Sequence, residues 1–436
     1  MNEMLLFLLL AATPANEWPG FLGPVSQSLS ASKLPLKWSS EEGIAWKLDL
    51  PGHAQSSPVV WNDVVYTTAV TGPEKNDYHL FAIDLTDGKI RWQKTIPSSD
   101  PVKNSVYVSR AAPTPVVDAD GIYTFYESGD FVAYNHAGDL LWQRSLSRDY
   151  GKFQNEFGLA ASPVLVDDSV IQLIDHDGPS YLLAVAKKTG ETVWKTDRTG
   201  RRSWSSPRLM TVAGTLQIVV SSAGSVDGYD PATGQRLWTY TAVGGNTGTS
   251  PIPAGPGKVI ISASAGQMGE NAAEARKSNL LLEIVANGKG FEPRVVWTAA
   301  EATPSFGSPC VHQGYAYWVN RAGIVYCLDQ TTGEQKYAQR IPQGSWATPV
   351  GIDDRVYFFG KDGLTTVLAA GPEFKILAEN QLWLADDVQV DNNLQKETEE
   401  RRQRSAALFG SRIQYGYAII PGAIVIRTGD RLYCLR

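Results

Sequence analysis

The chain is poor in cysteine, histidine and methionine, with 3 Cys, 5 His and 4 Met in 436 residues. Cys310, Cys327 and Cys434 cannot all pair within one chain, and none belongs to a Cys-x-x-Cys or Cys-x-x-Cys-His arrangement. A disulfide framework, a zinc ribbon and a c-type haem are thereby excluded. Cys327 and Cys434 stand in matching contexts, Val325-Tyr326-Cys327-Leu328 and Leu432-Tyr433-Cys434-Leu435, where other segments carry Ala82, Ala133 or Ala184. They read as small buried apolar residues. No two histidines are spaced as a metal-binding pair, which argues against zinc. A basic excess is also missing: 39 Lys and Arg face 45 Asp and Glu, a net charge of -6. Nucleic acid is not an expected partner, because its phosphates demand a basic stripe. After the N-terminus no stretch approaches the roughly 18 apolar residues of a membrane span, so no transmembrane span is expected. Gly-x-Ser-x-Gly, a phosphate loop and a dinucleotide fingerprint are absent as well.

What is abundant is aromatic and glycine: 13 Trp, 18 Tyr and 40 Gly, a mix that favours strands and tight turns. The N-terminus has an apolar run over residues 4–12 and then Thr13-Pro14-Ala15. This reads as a signal peptide over residues 1–15, despite Glu3 and the lack of Lys or Arg ahead of the run, and implies a periplasmic or secreted protein. Residues 16–42 form an N-terminal extension, and residues 43–436 a single repeat domain.

The repeat recurs roughly every 40 to 70 residues. Its starts are Ser57-Pro58, Thr114-Pro115, Ser162-Pro163, Ser206-Pro207, Ser250-Pro251, Ser308-Pro309 and Thr348-Pro349. Each is followed by β-rich runs and then a turn such as Asp84 to Gly88, Asp230 to Gly234 or Asp329 to Gly333. An Asp side chain bonds amides two residues on and Gly accepts positive φ, which gives the hairpin a mechanism. Four residues after the Gly comes an aromatic: Trp92, Trp142, Trp194, Trp238 or Tyr337, with Trp297 after a longer turn. A large ring on each outer strand buries on the order of 200 Å² between neighbouring units. An eighth unit has three runs, 417–420, 423–428 and 431–435, and then the chain stops. Far upstream, Gly43-Ile44-Ala45-Trp46-Lys47-Leu48 carries an outer-strand Trp with no inner strands before it. The expected fold is all-β: an eight-bladed β-propeller of four-stranded antiparallel blades, the last blade closed by the N-terminal strand.

The small-small-Pro starts, the Ala-x-Asp-x-x-Thr-Gly turn and the terminal Trp resemble the repeats of pyrroloquinoline-quinone-type propellers. That group also contains the outer-membrane assembly lipoprotein of Gram-negative bacteria. Trp18-Pro19-Gly20-Phe21-Leu22-Gly23-Pro24 further resembles the start of secreted planctomycete-type members. The resemblance implies either a quinone- and calcium-dependent dehydrogenase or a non-enzymatic scaffold. The vicinal cysteine pair of the resembled dehydrogenases is missing here.

In this connectivity the blade-to-blade links and the turns between second and third strands gather on one face, the mouth. Candidate ligand-binding residues there are Arg110, Asn155, Glu156, Arg202, Trp204, Asn246, Phe306, Trp346 and Tyr415. Trp204, Phe306, Trp346 and Tyr415 share equivalent offsets before the next strand, hence equivalent radial positions. Two readings stand side by side. The rings plug the channel, or they hold a planar or sugar ligand while Arg110 and Arg202 meet carboxylates. Asn155 with Glu156, and Asp175 with Asp177, offer oxygens to a hard cation, but no run matches a calcium loop and turn capping is the preferred reading. Two insertions interrupt the repeat: residues 384–412, with Glu397 and Arg401 in helical i,i+4 order, and residues 266–277. Both are expected to be short helices. The preferred function is a non-catalytic extracytoplasmic scaffold binding a protein, peptide or carbohydrate, with no catalytic residues, metal or cofactor expected. The alternative is an alcohol or sugar dehydrogenase using PQQ with calcium.

Overall fold

The computed structural model describes residues 17–24, 34–104, 108–265, 271–288, 290–304, 306–384 and 412–436. The expected signal peptide and all but the ends of the 384–412 insertion lie outside them. Among the described residues there are eight four-stranded antiparallel sheets. Blade 1 is Val59–Trp61, Val64–Thr71, Asp77–Asp84 and Ile90–Pro97. Blades 2 to 7 follow in chain order, their first strands being Val116–Val117, Val164–Val166, Arg208–Val212, Ile252–Pro253, Cys310–His312 and Val350–Ile352. Blade 8 joins Gly416–Ile420, Ala423–Arg427 and Arg431–Leu435 to Ile44–Asp49 from the start of the chain. Trp46 pairs with Cys434 and Leu48 with Leu432 in that closing register. First strands touch between blades 8, 1 and 2 and between blades 4, 5, 6 and 7, along the inner ring. No helix of the described residues is long and apolar enough to cross a membrane.

Blade stacking follows from two repeated devices. Outer-strand indoles donate into the next blade: Trp46 to Leu85 O at 2.9 Å, Trp92 to His136 O at 3.1 Å, Trp142 to Lys187 O at 2.7 Å, Trp194 to Pro231 O at 2.9 Å and Trp297 to Gln330 O at 3.0 Å. The glycine of the receiving turn lies against the same ring. A Cβ on Gly88, Gly190 or Gly333 would come within 2.7, 2.6 or 2.6 Å of Trp46, Trp142 or Trp297. The turn geometry is as expected, with Gly88 at φ 74° and the Asp84 carboxylate accepting the Thr86 amide at 2.8 Å.

The second device explains the Ser/Thr-Pro starts. The Ser57 amide donates to Thr114 Oγ1, Thr114 to Ser162 Oγ, Ser162 to Ser206 Oγ, Ser206 to Ser250 Oγ, Ser250 to Ser308 Oγ and Ser308 to Thr348 Oγ1, all at 2.9 to 3.0 Å. Each of blades 2 to 7 thus satisfies a buried amide of the one before it. Blade 8 has Gly416 at this point, and the Ser57 hydroxyl occupies the space where its Cβ would stand.

Two parts of the N-terminal extension join the fold. Trp18 pairs with Val60 through both backbone bonds at 2.9 Å, Pro19 O accepts the Val117 amide at 2.9 Å, and Phe21 O accepts Arg208 Nη1 at 2.7 Å. The Trp18 ring lies 5.8 Å from Tyr417 of blade 8 and is 3 % exposed. Segment 17–24 therefore fills the axial channel along the free edges of the inner strands. Farther along, Trp38 joins the cluster around blades 7 and 8, its amide bonded to Asn380 Oδ1 at 3.0 Å. Blade 7 carries the small Ala378 where other blades carry an aromatic, paired with Val367 as Trp92 is with Ala82. All three cysteines are buried and free. Burial pushes the Cys310 and Cys327 thiols up to about 12, so they are inert packing groups. The 266–277 insertion contains the helix Ala272–Lys277.

Candidate functional site

Loops that enter the inner strands bring the candidate residues to the mouth in two groups. The first lies over blades 6, 7, 8 and 1 and reaches the loop that enters blade 2. Phe306 stacks on Trp346 with centroids 4.2 Å apart, and Trp346 meets Tyr415 edge-on at 5.4 Å. Tyr415 in turn meets His53 at 5.7 Å. The Arg321 guanidinium stands 5.4 Å over the Phe306 ring. Phe306 and Trp346 are half-buried, whereas Tyr415 is buried. Burial raises the Tyr415 phenol, and the nearby Arg110 and Gln55 work against that rise. Arg110 is 2 % exposed, and its backbone is clamped to Gln55 at both ends, each bond 3.0 Å.

The second group lies over blades 3 and 4. Trp204 Nε1 donates to Gly158 O at 2.9 Å, and its ring meets Phe157 at 6.0 Å. Asn155 caps the turn beneath, its Oδ1 accepting the Phe157 amide at 2.9 Å. Glu156 is exposed and close enough to Arg202 to favour its charged form. Arg202 Nε grips both oxygens of Asp177 at 2.9 and 2.8 Å, which holds the Asp177 carboxyl below its usual range. Asn246 is fully buried beneath this group. Its amide nitrogen donates to Ser221 Oγ, Ser222 O and Ser225 O at 3.0, 2.7 and 3.0 Å, tying strand ends of blade 4 together.

The structure thus gathers Phe306, Trp346, Tyr415 and Arg110, and separately Trp204, Arg202, Asn155 and Glu156. Sequence reasoning missed the buried charges below them. Lys75 meets Glu127 at 2.9 Å with side chains 1 % and 3 % exposed, and Arg198 meets Asp175 at 2.9 Å and Asp227 at 3.3 Å. Asp175, considered above as a cation ligand, is committed to Arg198 and Ser222. A buried Asp that follows a strand in this chain was the available signal, because a lone interior carboxylate needs a cation.

Comparison with known proteins agrees with this geometry. BamB from Moraxella catarrhalis superposes with a TM-score of 0.57 at 14% identity, over 90% of this chain and 97% of that one. The quinohemoprotein alcohol dehydrogenase from Comamonas testosteroni gives 0.58 at 13% identity, over 97% of this chain and 80% of that one. At these identities the likeness shows the fold. No curated protein sequence matches the chain. The family model described as outer membrane protein assembly factor BamB matches residues 36–178, 152–288 and 289–431, so the chain belongs to this PQQ-like repeat family.

Proposed function

We propose that the protein is a non-catalytic extracytoplasmic scaffold that docks a protein partner on its mouth face. The observation carrying this reading is the row Phe306, Trp346 and Tyr415, with Trp204 in the second group: aromatic rings held by stacking and hydrogen bonds on the loop-rich face. Rigid, half-buried aromatics beside arginines are the usual anchors of protein interfaces. Membership of a family described as an assembly factor supports the same reading. The signal-like start over residues 1–15 supports export.

The residues present do not fit a quinone with calcium. Asp175, Asp177 and Glu127 are each bound by Arg198, Arg202 or Lys75, which leaves their oxygens engaged rather than open to a hard cation. The three cysteines stand at 310, 327 and 434, no two of them adjacent in sequence, and offer no vicinal pair.

The test is affinity capture from a cell-envelope extract with wild type and a Trp204→Ala/Trp346→Ala double variant of equal thermal stability. A specific protein captured by wild type and lost tenfold or more in the variant supports the reading. Equal capture by both places the interface elsewhere and overturns it.

A further inference from the structure

The second mouth group hangs on a side chain that the face itself does not show. His176 stands in the turn between the second and third strands of blade 3, Ser169–Ile174 and Ser180–Ala186, and is 1 % exposed. Its Nδ1 accepts two backbone amides at once, from Gln154 at 3.1 Å and from Gly178 at 2.9 Å. A ring nitrogen that accepts carries no proton, so the imidazole is neutral and protonated on Nε2. The fit is close: a Cβ on Gly178 would stand 2.7 Å from His176 Cε1 and 3.1 Å from the Gln154 side chain. The Phe153 ring lies 5.3 Å from the imidazole.

The rest of the group is tied to this turn. The Asp177 amide donates to Gln154 O at 3.0 Å, and the Asp177 carboxylate grips Arg202. The His176 carbonyl accepts the Arg201 amide at 2.9 Å. Beyond Gln154 come Asn155, whose Oδ1 caps Phe157, and Gly158, whose carbonyl holds the Trp204 indole. His176 therefore joins the loop under Trp204 to the turn under Arg202. Burial lowers the imidazole below the ordinary 6.5; the Pro179 backbone and the carboxylates of Asp175 and Asp177 work against it, and those carboxylates are themselves held by Arg198 and Arg202. A proton on Nδ1 turns the acceptor into a donor facing two N–H groups, and neither bond survives.

We propose that His176 is an acid-sensitive latch of the docking face: protonation at Nδ1 releases the Gln154 and Gly178 amides, parts the loop 153–158 from the turn 175–180, and displaces Trp204 and Arg202. A partner held there in neutral medium is let go in acid. That consequence rests on the docking role proposed above; the latch itself does not.

Hydrogen exchange of the Gln154 and Gly178 amides in the purified protein, expressed as protection factors between pH 7.5 and 5, tests the latch without any partner. Protection should be constant above pH 6.5 and fall by about tenfold for each pH unit beneath it, as the opened loop takes up one proton. Amides of Val219 and Val220, in a buried strand of blade 4, should stay protected throughout. His176→Asn sets an oxygen where Nδ1 stands and cannot take up the proton, so its protection should stay flat. Should that variant fail to fold, the wild-type profile decides alone. Flat protection in wild type, or an equal fall in the folded variant, overturns the latch. Docking is read apart from it, by capture at pH 7.5: failed capture with a pH-dependent loop refutes docking only, and retained capture with flat protection refutes the latch only.

Discussion

The indole nitrogen of Trp46 donates to the carbonyl oxygen of Leu85 at 2.9 Å, joining the first strand of the chain to a turn of blade 1. Trp46 belongs to blade 8, so this bond and the pairing of Ile44–Asp49 with Arg431–Leu435 close the ring from both sides. Trp46→Ala should cost about 3–5 kcal/mol, from lost burial and an imperfectly filled space. Trp46→Phe keeps most of the apolar area and should cost about 1 kcal/mol for the hydrogen bond. Urea unfolding of the two variants checks the order, and a chain beginning at Leu50 should melt without a cooperative transition.

Gly333 and Gly314 form a controlled pair. Both have positive φ, 73° and 80°, but a Cβ at Gly333 would lie 2.6 Å from Trp297 whereas one at Gly314 meets nothing within 4 Å. Each Gly→Ala substitution carries the left-handed strain, roughly 1 kcal/mol. Only Gly333→Ala also displaces the docked indole. Its melting temperature should fall clearly below that of Gly314→Ala in calorimetry; equal losses would mean that the ring contact is unimportant.

The Lys75–Glu127 pair is nearly inaccessible, and Glu127 also accepts the Ala111 amide at 3.2 and 3.1 Å. Glu127→Gln leaves a buried ammonium without its counter-charge and should destabilise by about 3–5 kcal/mol. The double replacement Lys75→Met/Glu127→Leu should recover much of that loss. A double-mutant cycle in denaturant measures the difference.

Three histidines set the acid limb of stability. Burial lowers His53, His79 and His176 below the ordinary 6.5, helped at His53 by Arg110 and Arg427. Below pH 6.5 the unfolded chain takes up protons on these rings that the folded chain refuses, so stability falls as pH falls from about 6.5 toward the depressed folded values. Above 6.5 they contribute no slope. His53→Gln should flatten the decline between pH 6.5 and 5 relative to wild type, read from denaturant midpoints at successive pH values.

Blade count, closure and the docking tryptophans were legible because their signals are local and repeated: Asp, Gly and Trp stand at constant spacing around one turn, as at Asp84, Gly88 and Trp92. The Ser/Thr before each Pro was legible as a position but not as a role, because its hydroxyl serves an amide 40 to 58 residues earlier in the chain. Trp18 and Trp38 were invisible as core residues: they lie outside the repeat and meet partners as distant as Asn380. Equivalent offsets placed Trp346 and Tyr415 together correctly. They said nothing of side-chain direction, which is why Asn246 stood among mouth residues although its amide points into blade 4.

The proposed docking role needs no quinone. The direct measurement is calorimetric melting of the purified chain with pyrroloquinoline quinone and calcium added in excess, followed by a quinone-reduction assay with alcohols and aldoses. The account predicts an unchanged melting temperature and no reduction. A saturable rise in melting temperature accompanied by substrate-dependent reduction would contradict it.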